Sequence, residues 1–242
     1  MEHKKKEIGQ LLLLMDKTAR LVFNDKGVQG QFRTPIREII AVRPNHSETT
    51  ETIHKENGCK FKLDVQQIMF SKGNLEEKRK LLKPHSIRSG ETIVDMFAGI
   101  GYFSIPIAVH CAPKKIISIE LNPVSYQYLC ENCRLNHAEA IIEPINGDCQ
   151  IVTPKNIADR VLMGYVGTTH NYLKTAVDAL KKKGGILHYH ETVPEKLYPN
   201  RPIERIQQAA EQCGRRVAVL ETRKIKKYSP GVYHVVVDAE IK

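Results

Sequence analysis

The chain has 242 residues, 41% of them hydrophobic and 26% charged, the composition of a folded globular protein with room for one substantial domain and a smaller one. The longest apolar run near the start, residues 11–15, is too short to cross a bilayer, and no signal-peptide pattern is present, so a cytoplasmic protein with no membrane partner is expected. Lys and Arg outnumber Asp and Glu by 37 to 27, a formal net charge of +10, and such a field attracts polyanions, nucleic acid foremost.

In chain order, the first 72 residues mix short alternating stretches (19–23, 39–42 and 60–65) with Gly and Pro breaks. They read as a small strand-rich domain, with Lys4–Lys6 as a solvated tail. Residues 74–82 carry the Glu and Lys pattern of a short amphipathic helix, and 83–90 form a loop around Pro84. From Glu91 onward strand and helix alternate. Strand 92–96 leads into Gly99 and Gly101, then come helix 102–110, strand 116–120, helix 123–136 and strand 140–145. Strand 160–163, helix 170–182, strand 186–190 and helix 202–213 follow. Lys181–Lys183 is expected at a helix C-terminus, before Gly184 and Gly185. Two strands, 217–223 and 232–241, flank Ser229-Pro230-Gly231 and must pair antiparallel.

Repeated strand–helix units predict an α/β fold, a mostly parallel sheet with helices on both faces. With its closing antiparallel strand this is the Rossmann-like layout of class I methyltransferases. The expected division is 1–72 for the small α+β domain and 73–242 for the catalytic one. The six cysteines have no framework spacing. Cys130 and Cys133 form a CxxC inside a helix with no second pair nearby, so reduced thiols and no metal are expected.

The segment Val94-Asp95-Met96-Phe97-Ala98-Gly99-Ile100-Gly101 follows the first strand of that sheet, where a doubly wound fold binds its ligand. Two glycines permit a tight turn with no Cβ between backbone and ligand. A dinucleotide fingerprint would have a third glycine where Ser104 stands, and Asp95 suits a cationic ligand better than a pyrophosphate. S-adenosylmethionine, with its sulfonium and α-ammonium, meets that requirement. Glu120 ends the second strand 19 residues after Gly101, placed to accept both ribose hydroxyls. In Asn146-Gly147-Asp148-Cys149, Asp148 is placed to accept the adenine amino group, or it is simply a turn aspartate. The expected cofactor-binding set from these segments is Asp95, Phe97, Gly99, Gly101, Glu120, Asp148 and Cys149.

Enzymes that methylate base nitrogens commonly carry [DN]-P-P-[FY] after the fourth strand. Here that place reads Met163-Gly164-Tyr165-Val166, without proline or carboxamide. Tyr165 is left either to stack on a base or to pack in the core. Other segments are Thr52-Ile53-His54-Lys55-Glu56-Asn57-Gly58, Phe61-Lys62-Leu63-Asp64-Val65, Phe70-Ser71, His188-Tyr189-His190, Thr192-Val193-Pro194-Glu195 and Tyr228-Ser229-Pro230-Gly231-Val232-Tyr233-His234. With the glycine turn and residues 157–166, they make the chain resemble the archaeal-type tRNA wybutosine-synthesising aminocarboxypropyltransferases, relatives of the tRNA guanosine-37 N1-methyltransferases. The resemblance runs from about Arg43 to the C-terminus.

What the resemblance implies is transfer of the 3-amino-3-carboxypropyl group of S-adenosylmethionine to 4-demethylwyosine at position 37, in the anticodon loop of phenylalanine tRNA, with 5′-methylthioadenosine released. It also implies that the methyltransferase branch's N-terminal domain is missing or much reduced here. By the same resemblance Ser71 and Lys78 join the cofactor set, Lys78 as partner of the methionine carboxylate. A helix cap for Ser71 and a solvated helix position for Lys78 are the alternatives. His188 and His190 share one strand face and, with Tyr165 and Glu195, are expected near the RNA substrate, with the Arg223–Lys227 run as a further RNA contact. No general base is assigned. The other functions to weigh are a guanosine-37 N1-methyltransferase and a non-catalytic tRNA-binding module.

Overall fold

The computed structural model describes residues 2–70, 74–84 and 86–242. The chain divides into two compact units: Met1–His54 with Lys62–Ser71, and Lys55–Phe61 with Lys72–Lys242.

The smaller unit begins with a helix, α1 (Glu2–Met15), so Lys4–Lys6 is helical rather than a loose tail. Strands β1 (Leu21–Gln29) and β2 (Thr34–Val42) pair antiparallel. Gly9 lets α1 lie directly on β2, because a Cβ there would stand 2.8 Å from the Ala41 Cβ. Strands β3 (Glu51–Glu56) and β4 (Cys59–Asp64) form a second ribbon, whose turn is Asn57-Gly58 with φ of +50° and +74°. Asn-Gly takes two successive positive φ values readily, and this is the signal in the sequence that marks β3, which residue alternation does not predict.

The larger unit holds α2 (Leu75–Leu81), β5 (Thr92–Asp95), α3 (Ser104–Cys111), β6 (Lys115–Glu120), α4 (Pro123–Leu135), β7 (Ile142–Asn146) and α5 (Cys149–Val152). It continues with β8 (Arg160–Met163), α6 (Leu173–Ala179), β9 (Gly185–Pro194), α7 (Asn200–Gln212), β10 (Val217–Ser229) and β11 (Val232–Ile241). The seven strands form one sheet in the order β10-β11-β9-β8-β5-β6-β7. From β9 to β7 every pairing is parallel, while β11 runs antiparallel to both β9 and β10. The last strand therefore inserts between β9 and β10 instead of closing the edge. This is the α/β, Rossmann-like class I methyltransferase architecture that strand–helix alternation predicts.

Strand alternation assigns each residue to a face. Val94, Val161, Leu187, Tyr189 and Val237 turn to one side, where Ala176, Val177, Ile206 and Ala209 of α6 and α7 complete a buried cluster. On the other side the glycine turn fits against α3 and α4, since a Cβ on Gly101 would meet Ile105 Cδ1 at 2.4 Å and Leu129 Cδ1 at 3.2 Å. The predicted helix 170–182 is shorter than its pattern. A 3-10 turn, Thr169–Tyr172, precedes α6, and the helix stops at Ala179 because Leu180 bridges to Ala158. Lys181 consequently lies beyond the helix, its ammonium 2.6 Å from Asp159 Oδ2, and not at a helix C-terminus. The strand predicted at 217–223 runs on to Ser229 as a long edge strand.

Candidate S-adenosylmethionine site at the strand ends

The backbone leaves β5 through Met96, whose N–H donates to the Leu162 carbonyl, and Ala98, whose N–H donates to the Ile119 carbonyl. The turn is thereby held between the two neighbouring strands. Gly99 (φ +58°) and Gly101 (φ +98°) then adopt conformations that L side chains rarely take. Beside Gly99 lies the Tyr102 ring, 2.4 Å from where a Cβ would be. Asp95 is fully buried beneath this turn. Its Oδ2 accepts a hydrogen bond from Ser104 Oγ at 2.7 Å, and Ser104 Oγ accepts one from Ser118 Oγ at 2.8 Å. The residue replacing the third glycine thus supports the aspartate. Burial pushes the Asp95 carboxyl up to about 6, against the lowering effect of Ser104 and the Phe97 N–H. Its side chain shapes the turn from below, and does not face a cation as the sequence suggested.

Glu120 is the carboxylate at the open end. Its Oε2 accepts the Gly99 N–H at 2.7 Å and its Oε1 the Asn122 N–H at 2.8 Å. The acid that ends β6 is therefore fastened to the turn that follows β5. Burial raises the Glu120 carboxyl, and the backbone N–H bonds oppose that rise. One strand further, Gly147 N–H donates to the Glu120 carbonyl, placing Asp148 next in line. Asp148 Oδ1 caps α5 by accepting the Gln150 N–H at 2.9 Å. Cys149 is buried behind it, its thiol pushed up by burial to about 12. Phe97 stacks with Tyr165 at 5.2 Å between ring centroids and meets Tyr172 edge-on at 5.1 Å. Tyr165 thus belongs to a half-buried aromatic group with Phe97, a partnership the sequence did not disclose.

The other expected residues fall in three places. Ser71 lies outside the described residues. Lys78 is buried, its ammonium 2.5 Å from Glu56 Oε1 and 5.5 Å above the Tyr102 ring, so it is not a solvated helix lysine. Glu56 and Tyr102 were missed, although Tyr102 directly follows the glycine turn. His188 and His190 do share a face, but both are buried. His188 Nδ1 donates to Asp238 Oδ1 at 2.6 Å, and its Nε2 accepts from Arg160 Nη1 at 2.5 Å. His190 Nδ1 is 3.0 Å from His234 Nε2, and its ring meets Phe103 edge-on. Burial pulls His234 down to about 4 and His190 well below its usual value. In this conformation neither His188 nor His190 presents a free edge to a substrate. Glu195 is exposed and takes Lys224 at 3.0 Å, with Lys224 lying over the Tyr198 and Tyr233 rings. Arg223 is half-buried and paired with Glu77, Asp238 and Glu221, which removes it from the basic run read as an RNA contact.

The carboxylates at the ends of β6 and after β7, with glycine backbone between, form an acceptor-rich rim. Such a rim fits the hydroxyl and amino donors of a nucleoside and repels a pyrophosphate. Known proteins agree in sequence and in fold. The family model of the TRM5/TYW2 methyltransferase domain matches residues 52–220. A tRNA(Phe) (4-demethylwyosine(37)-C(7)) aminocarboxypropyltransferase of Methanocaldococcus jannaschii is 50% identical over 215 residues, covering 89% of this chain and 83% of its own. The crystal structure of TYW2 from the same organism in complex with AdoMet superposes with a TM-score of 0.79 at 49% identity, covering 85% of this chain and 90% of that one. The structure of Pyrococcus horikoshii TYW2 in complex with MeSAdo gives a TM-score of 0.85 at 39% identity, covering 99% and 84%. With more than half its length matched by the family model and with relatives this similar, the chain belongs to the TRM5/TYW2 methyltransferase domain family.

Proposed function

We infer that the chain is a tRNA-modifying transferase that moves the 3-amino-3-carboxypropyl group of S-adenosylmethionine onto 4-demethylwyosine and releases 5′-methylthioadenosine. We take the target to be position 37, in the anticodon loop of phenylalanine tRNA. The relatives named for this reaction support the choice of transferred group, as does the absence of the [DN]-P-P-[FY] pattern at residues 163–166.

The observation that carries the cofactor reading is the Glu120 carboxylate fastened to the Gly99 N–H across two strand ends. A carboxylate has about four lone-pair sites. Two are used on Gly99 and Asn122, which leaves two to accept the ribose hydroxyls. Asp148 uses Oδ1 on α5 and offers Oδ2 to the adenine amino group, while Phe97 and Cys149 supply the apolar walls beside it. Gly99 and Gly101 keep the turn's backbone close to the ligand, and Asp95 holds that turn through Ser104. Lys78, with three donors, can keep Glu56 and also bind the methionine carboxylate. S-adenosylmethionine, when bound, supplies a sulfonium with three electrophilic carbons, of which the one facing the nucleophile in line is transferred. The C–S bond breaks as the bond to the base forms, the thioether leaves neutral and needs no proton, and the hydrogen displaced from the base departs as a proton, so the side chains select the product by orientation. Tyr165 and Phe97 offer ring faces for the target base.

The test is mass spectrometry of the small-molecule product after incubation with S-adenosylmethionine and 4-demethylwyosine-containing tRNA. The expected product is 5′-methylthioadenosine. S-adenosylhomocysteine alone would instead assign methyl transfer, as in a guanosine-37 N1-methyltransferase. Neither product would indicate a tRNA-binding module.

A further inference from the structure

Helix α2 buries two consecutive charged residues: Glu77 is 3% exposed and Lys78 2%. The helix has seven residues, and Leu81 is its one buried apolar side chain. So short a helix is not stable on propensity alone. Successive side chains on a helix diverge by about 100°, so the two charges reach different neighbours. Glu77 is gripped by Arg223, whose Nη2 donates to Oε1 at 2.6 Å and whose Nε donates to Oε2 at 3.2 Å. The remaining arm of the guanidinium, Nη1, donates to Asp238 Oδ2 at 2.6 Å, and Asp238 holds His188 through its other oxygen. Lys78 points instead to Glu56 and to the ring of Tyr102, the ring that occupies the space beside Gly99.

We propose that the Glu77–Arg223–Asp238 clamp is a positioning device, which fixes α2 so that the Lys78 ammonium meets the carboxylate of the chain being transferred. The proposal rests on the S-adenosylmethionine reading above. Buried ion pairs are a poor source of stability, since apolar replacements of similar volume are often as stable. A two-pronged Arg–carboxylate pair, however, fixes direction as well as distance. Arg223 touches no reacting atom in this scheme. It acts through Glu77 on the neighbouring residue of the same helix turn.

The experiment compares calorimetric binding of S-adenosylmethionine with that of 5′-methylthioadenosine, which lacks the aminocarboxypropyl chain, in the full chain and in Lys78→Met, Arg223→Gln and Glu77→Gln. Lys78→Met and Arg223→Gln are each expected to weaken S-adenosylmethionine about tenfold and 5′-methylthioadenosine less than about twofold. Glu77→Gln should act in the same direction with a smaller loss. It leaves Arg223 on Asp238, so it supplies the answer if Arg223→Gln does not fold. Equal weakening of both ligands, or of neither, in the Arg223 and Glu77 variants overturns the clamp. An unchanged ligand ratio in Lys78→Met overturns it too, because there is then no ammonium contact to position. If the unaltered protein binds neither compound, the S-adenosylmethionine reading itself falls, which is a different result from a variant that loses no discrimination.

Discussion

On the β5–β6–β7 side of the sheet the polar groups stand at strand ends, and the Glu120 and Asp148 carboxylates are half-buried and tied to backbone N–H groups. On the β8–β9–β11–β10 side a line of charges passes through the interior. Glu91 takes Arg160, Arg160 reaches His188, His188 holds Asp238, and Asp238 shares Arg223 with Glu77. The first arrangement leaves lone pairs for a ligand, and the second uses its lone pairs internally. Damage to the first should therefore be read in binding, and damage to the second in stability, except at its Glu77–Arg223 end, which lies next to Lys78 and acts on binding through it.

The comparison breaks or sharpens most at Arg160, which is 4% exposed between Glu91 and His188. Arg160→Met leaves the buried Glu91 with only the more distant Arg88 guanidinium, at 3.6 Å, and should cost about 4 kcal/mol in a denaturant titration. The folded fraction should still bind S-adenosylmethionine with little change in affinity. A variant that keeps its stability and loses binding would merge the two regions.

The next effect is a pH dependence from the same half of the sheet. His234, with burial holding it at about 4, takes up a proton in the unfolded chain before the folded one. Stability is then full above pH 6.5 and falls as pH drops toward 4, by about 3 kcal/mol from this residue. The shift of His190 acts in the same direction. Asp95, raised to about 6, acts oppositely, because between pH 4 and 6 the folded state holds that proton more firmly. Thermal unfolding against pH should therefore show a shallower acid loss in His234→Gln and a steeper one in Asp95→Asn. Unchanged slopes in both would remove these groups from the account.

On the strand-end side, Glu120→Gln keeps an acceptor for the Gly99 N–H and loses the charge that holds two hydroxyls. Calorimetry should show S-adenosylmethionine weakened about a hundredfold, with the unfolding midpoint lowered by less than in Arg160→Met, since the Asn122 N–H loses its acceptor. Gly101→Ala tests the turn itself. A Cβ at 2.4 Å from Ile105, on a backbone with φ of +98°, should cost about 2 kcal/mol of stability. A neutral result there would mean that the turn relaxes freely.

Much of the strand-end region was legible before the structure. Glycines at a strand end, an acid closing the next strand and the Asn146–Cys149 segment are local patterns, and strand–helix alternation fixed which end of the sheet they share. Asp95 was legible as important but misread in its direction, because its partner Ser104 lies nine residues on and only the turn brings them together. The internal chain of charges was not legible. Its members come from α2, β8, β9, β10, β11 and the loop before β5, and Arg223 joins Glu77 across 146 residues. A basic run in a sequence looks the same whether its first arginine faces solvent or a buried glutamate.

By itself the sequence determined the main strand–helix alternation from Thr92 onward, the glycine turn with its acid and the family to which the chain belongs. The first two follow from residue periodicity and short-range backbone demands that each segment carries within itself, and the family from the resemblance of its motifs. Only the tertiary structure decided which charges are open to a ligand and which are consumed inside. Burial and ion pairing depend on residues far apart in the chain arriving at the same point, and no local pattern encodes that meeting.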